Sequence, residues 1–80
     1  HLSVAKDYQG QGCAQRLMTY LLDHLKSHEV EKITLEVNVN NEPAIALYRK
    51  YNFLELTIRK NYYDMRDGTF EDAMVLQLEF

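Results

Sequence analysis

The residues best placed to do chemistry early in the chain are Gln9, Gly10, Gln11, Gly12, Cys13 and Ala14, in the run YQGQGCAQRLM. Two of the chain's three glycines fall there, at the mouth of an amphipathic stretch. Glycine inside a helix costs about 1 kcal/mol relative to alanine, so helix stability is not what selects it. A helix start exposes unsatisfied N–H groups at the positive end of the helix dipole, and glycines let an anion approach them closely. The chemistry on offer is a grip on phosphate. Two phosphate loops are excluded by residue type. A dinucleotide fingerprint needs glycine where Gln15 stands, and the Gly-Lys-Ser/Thr ending of a nucleoside-triphosphate loop is absent. What remains is Gln9-x-x-Gly12-x-Ala14, a short pattern that an ordinary strand-to-helix turn also satisfies.

The elements that must position this loop can be read from periodicity. HLSVA is a short apolar strand end. Cys13, Ala14, Leu17, Met18, Leu21, Leu22 and Leu25 define one face of a helix ending near His28. KITLEVNV alternates, with Ile33, Leu35, Val37 and Val39 on one face and Thr34, Glu36 and Asn38 on the other. Asn41 can cap a second helix, Pro43 suits its first turn, and Ala44, Leu47, Tyr48 and Tyr51 repeat at helical spacing. FLELTIRK alternates again and predicts Leu54, Leu56 and Ile58 on one side. Asp67-Gly68 signals a turn, and Met74, Leu76, Leu78 and Phe80 alternate in a last strand. The order β-α-β-α-β-β predicts an α/β fold, a mixed sheet flanked by helices, parallel at first and closing in an antiparallel hairpin.

Eighty residues make at most one small domain. The chain opens on His1 and runs directly into a strand, so the expectation is a piece of a longer protein. A net charge of −3 with scattered basic residues argues against a nucleic-acid surface. No apolar run is long enough to span a bilayer, and nothing resembles a signal peptide. The single Cys13 cannot form an internal disulfide and fits a reducing, cytoplasmic setting; it reads as a small buried residue. His24 and His28 lie one helical turn apart but lack a further ligand set, so they read as surface residues and no metal is expected.

Taken in order, Gln9-x-x-Gly12-x-Ala14 before a helix, LEV in the next strand, N-x-x-A-x-x-L-Y from Asn41 to Tyr48, and Asn52-Phe53 resemble the C-terminal half of the GCN5-related N-acetyltransferase superfamily. The stretches LEVNVNNEPAIALYRKYNF and IRKNYYDMRDGTFEDAMVL look closest to the branch that acetylates protein N-terminal amines. The likeness covers nearly the whole chain, so residues 1–80 are expected to be one partial acetyltransferase domain lacking the N-terminal half. One departure is Asn52 where glycine is common; asparagine tolerates the left-handed backbone that glycine would adopt there.

The resemblance implies a fold, a co-substrate and roles. Acetyl-CoA is the implied co-substrate, its pyrophosphate held by backbone N–H groups of Gln9, Gly10, Gln11, Gly12, Cys13 and Ala14. Val4 belongs to the strand whose splayed end pairs with the pantetheine arm, and Asn41 either bonds that arm or caps its helix. Arg16 could reach a phosphate or simply be solvated. Glu36 is implied as general base and Tyr48 as the acid that protonates the departing CoA thiolate. Tyr62 and Tyr63 are implied to close over the acceptor's first residues. The activity implied is acetyl transfer to a primary amine, preferably a protein N-terminal α-amine, with a small-molecule amine as alternative. A second alternative is a CoA-binding or dimerisation module without turnover, completing its core as a homodimer through the exposed sheet edge.

Overall fold

The computed structural model describes residues 11–80. Helix α1 spans Gln11–Ser27, strand β1 Lys32–Asn38, helix α2 Glu42–Lys50, strand β2 Leu54–Asp64 and strand β3 Phe70–Glu79. The α-β-α-β-β order is the expected one from the first helix onward. The strand predicted at residues 2–5 lies outside the described residues, and so does any parallel partner it provides. Among the described residues the three strands pair only antiparallel, in the order β1-β3-β2. The α2 crossover therefore carries β1 to a strand running in the same direction, and β3 returns between the two.

One face of this sheet is the core. Leu35 pairs with Leu76, and Ile33 with Leu78. Met18 of α1 and Ile45 and Tyr48 of α2 join Leu35, Val37, Phe53, Leu76 and Leu78 in one buried cluster. Leu35, Phe53 and Leu76 are its most enclosed side chains. Ile45 lies at the centre of the α2 contact, although the sequence repeat places Ala44 and Leu47 there; these two are only half-buried. In α1, Leu17 is exposed and only Ala14 and Met18 are fully buried, so the apolar stripe is narrower than its composition implies.

The second strand departs from its alternation. Leu54 pairs with Gln77, but a bulge between Glu55 and Thr57 inserts one extra residue, and Ile58 then pairs with Met74. Paired residues share a face, so Leu54 and Ile58 lie on opposite sides of the sheet, with Leu56 at the irregularity. Leu54 and Leu56 are 71% and 55% exposed, and the predicted shared apolar face is not formed. The turn expected at Asp67-Gly68 is part of a longer loop. The Met65 N–H donates to the Thr69 carbonyl, and Arg66 and Gly68 both take positive φ. Val39 leaves the strand and Phe80 lies past the end of β3.

Helix α2 stops where Asn52 turns left-handed, at φ 72°. The N–H of Phe53 returns 3.1 Å to the carbonyl of Tyr48, and the N–H of Asn52 donates 3.0 Å to Arg49. This is a Schellman cap, whose usual companion is an apolar contact between the residues joined by the longer bond. Here that contact is Tyr48 against Phe53, edge to face, with centroids 5.4 Å apart. One backbone turn thus sets the ring of Tyr48. Asn52→Gly is expected to leave the urea unfolding midpoint unchanged or slightly raised. Asn52→Val should lower stability by about 1–2 kcal/mol, because a β-branched residue is strained at positive φ. A valine variant as stable as the parent would mean that the left-handed residue does not govern the turn.

Candidate functional site

The expected phosphate loop straddles the first described residue. Val4, Gln9 and Gly10 lie outside the described residues. Gln11, Gly12, Cys13 and Ala14 are the first four described residues of α1. Their N–H groups are the ones a helix leaves without internal partners. No acidic side chain occupies the first turn. A Cβ built on Gly12 would meet nothing within 4 Å, so no described neighbour crowds that position. Ala14 turns to the core at 7% exposure. Cys13 is exposed, which corrects its reading as a buried residue. It lies outside the stripe formed by Ala14 and Met18, and no described element covers it.

Beside this helix start runs an open groove lined by Gly12, Arg16, Thr19, Tyr20, Asp23 and Tyr51. Arg16 is exposed on it. The hydroxyl of Tyr51 donates 2.9 Å to the Gln15 carbonyl and sits 3.3 Å from the Thr19 hydroxyl. This ties the end of α2 to the first turns of α1. The sequence marks Tyr51 only as a packing position. Asn41 is the cap of α2, its side-chain oxygen accepting from the Ala44 N–H at 3.3 Å, and the Asn41 N–H donates to the Asn38 carbonyl.

Glu36 stands in the middle of β1 on the face away from the core, paired with Val75. Thr57, Arg59 and Tyr63 of β2 pair with Val75, Ala73 and Glu71, which puts them on that same face. Arg59 is the residue the sequence reading missed. Its Nη1 lies 3.5 Å from Glu36 Oε1, and its guanidinium carbon lies 4.7 Å over the Tyr62 ring. Only strand register brings residues so far apart in sequence together, so no local pattern announces the pair. A second irregularity between Arg59 and Tyr63 turns Asn61 to φ 53°, where its N–H donates 2.9 Å to Asp72. Tyr62 and Tyr63 follow at once, their rings perpendicular at 5.0 Å.

Tyr48 is 5% exposed, and burial raises its hydroxyl above the ordinary tyrosine value. The Tyr63 hydroxyl is also raised, first by burial and then by Tyr62, Glu36 and Tyr48. Tyr48 comes from the core-side helix and Glu36 from the opposite face of the sheet. The arrangement offers a carboxylate, a phenol that stays protonated at neutral pH, and two tyrosines with hydroxyls and apolar area. His24 of α1 and His28 just past its end are exposed, with rings 4.3 Å apart. No group of three metal-ligating side chains occurs among the described residues, and none of their helices is long and apolar enough to cross a membrane.

The element order and the three-stranded sheet define an α/β domain. The chain belongs to the Acetyltransferase (GNAT) family, whose profile matches residues 1–53. It is 44% identical over 78 residues to the [Ribosomal protein bS18]-alanine N-acetyltransferase of Escherichia coli, covering 98% of this chain and 52% of that protein. The crystal structure of the ribosomal-protein-S18-alanine N-acetyltransferase from Escherichia coli superposes with a TM-score of 0.83 at 43% identity, over 99% of this chain and 50% of that one. The NatC complex bound to Gag peptide and CoA matches at 29% identity and a TM-score of 0.83, over 100% of this chain and 48% of that one. The chain thus spans about half the length of the curated relatives it matches.

Both raised hydroxyls give a signed pH dependence. Tyr48 and Tyr63 resist ionisation in the folded state, whereas the unfolded chain ionises them near the ordinary value of 10.0. Their contribution to stability is intact below that value and is lost as pH rises through the higher folded one. The unfolding midpoint should be insensitive to these two groups up to about pH 10 and fall above it, less steeply in Tyr48→Phe. An identical alkaline loss in that variant would show that Tyr48 is not one of the groups responsible.

Proposed function

We propose that this chain carries the co-substrate loop and the acid–base pair of an enzyme that moves the acetyl group of acetyl-CoA to a protein N-terminal α-amine. The observation that carries the reading is the strand register that sets Glu36 and Tyr63 on one face of the sheet, with the Tyr62 ring 5.0 Å from that of Tyr63. The relatives named alanine N-acetyltransferases support the choice of acceptor, and the CoA-bound structure among the neighbours supports the choice of co-substrate.

In this reading the N–H groups of Gln11, Gly12, Cys13 and Ala14, with Gln9 and Gly10 before them, receive the diphosphate, and Val4 and Asn41 lie along the pantetheine arm. Gly12 keeps that approach open. Glu36 takes the proton of the acceptor ammonium, directly or through water. A protein α-amine has a pKa of roughly 7.7–8.0, so a modest base suffices near neutral pH; a lysine near 10.4 is harder to deprotonate. The freed nitrogen forms its bond to the acetyl carbon as the carbon–sulfur bond breaks. The second proton it then sheds to become an amide goes to water or restores the Tyr48 phenol once that has served the thiolate. Tyr48, held protonated by burial, gives its proton to the departing thiolate. Tyr62 and Tyr63 contact the acceptor backbone.

The test uses the protein at its natural full length. Glu36→Gln should cut turnover by about 10²-fold or more while the affinity for CoA, measured by calorimetry, stays nearly unchanged. Tyr48→Phe should do the same. Equal loss of turnover and CoA affinity in the Glu36 variant would argue against the base role. CoA binding with no turnover on any amine would favour a binding module instead.

A further inference from the structure

We propose that Arg59 is a built-in stand-in for the acceptor's ammonium, resting on Glu36 and Tyr62 until a substrate amine displaces it. The proposal rests on the reading of Glu36 as the carboxylate that faces the acceptor. Both partners of the guanidinium are residues assigned there to the acceptor, the carboxylate at 3.5 Å and the Tyr62 ring at 4.7 Å. The register explains how it gets there. Arg59 pairs with Ala73 and Glu36 with Val75, so the arginine reaches diagonally across β3 over two small side chains. The irregularity that follows, pinned by Asn61 and Lys60 on Asp72, brings Tyr62 back under the guanidinium.

The strength of the contact decides between a strut and a placeholder. The Arg59 side chain is 55% exposed and that of Glu36 21%, and the Arg59 Nη1 comes no nearer than 3.5 Å to Glu36 Oε1. A pair with one solvent-exposed partner at that separation contributes little to stability. A structural strut would be short, bidentate and enclosed. A weak pair can be exchanged for another cation at small cost. An α-ammonium offers the same charge to the carboxylate and a comparable cation to the aromatic face. The acetylated product is uncharged and cannot compete, so the return of Arg59 to Glu36 favours release. Arg59 is a positioning residue in this scheme, because it acts through Glu36 and touches no reacting atom.

The experiment measures binding to the full-length protein, with CoA present, of a short peptide starting with alanine and of its N-acetylated form. Arg59→Met should tighten the free-amine peptide about two- to fivefold, the range that loss of one exposed competing pair allows. It should leave the acetylated peptide and CoA unchanged. Arg59→Lys, which keeps the charge, should stay near the parent. Unchanged or weaker binding of the free-amine peptide in Arg59→Met overturns the proposal, as does an equal shift for both peptides. Turnover of the same peptide by the parent protein separates the two ideas. If the parent acetylates it and Arg59→Met gains no affinity, only the placeholder fails; if the parent neither binds nor acetylates it, both fail. Unfolding midpoints of the variants, expected within experimental error of the parent, show that folding does not account for the differences.

Discussion

Glu36, Arg59 and Tyr63 are aimed by one ladder, in which β3 runs antiparallel between β1 and β2. A strand has a period of two, so the pairing of Leu35 with Leu76 also fixes Glu36 beside Val75 on the other face. The apolar pairs hold the register, because a slip of β3 by one residue would turn Leu76 and Leu78 away from Leu35 and Val37. The polar face inherits its geometry from that constraint. β2 is tuned to it by two irregularities, one at Leu56 and one just before Tyr62. Without the first, Arg59 would point into the core face instead of toward Glu36.

The helices are attached to the same frame by specific bonds. The Schellman turn at Asn52 and Phe53 fixes the end of α2 and with it Tyr48. Tyr51, one residue past α2, holds the first turns of α1 through the Gln15 carbonyl. The start of α1 and the ring of Tyr48 are thus separated by only two short connections.

The electrostatics of the site follow from where the sheet puts it. Tyr48 is enclosed by Phe53 and the core, and this enclosure keeps its proton in place. Glu36 stands on the less enclosed face, where a cation can reach it, as Arg59 does. A phenol inside and a carboxylate outside suit a reaction that removes a proton from a solvated ammonium and delivers one to a thiolate. Exposed hydrophobic side chains at Leu54 and Leu56 mark where β2 leaves that frame.

From the first helix onward the sequence by itself determined the elements and their order, because periods of two and of about 3.6 are local properties. It also determined both caps of α2, since Asn41 ahead of Pro43 and Asn52 ahead of Phe53 are local choices of backbone angle. It marked Glu36 and Tyr48 through their places in LEV and in N-x-x-A-x-x-L-Y. Tertiary structure alone decided that β3 enters between the other strands, that a bulge divides Leu54 from Ile58, and that Ile45 rather than Leu47 is sealed. It alone brought Arg59 to Glu36 and Tyr51 to Gln15. Those contacts join residues far apart in the chain, and their geometry depends on how strands pair and helices settle on them, which no short window of residues encodes.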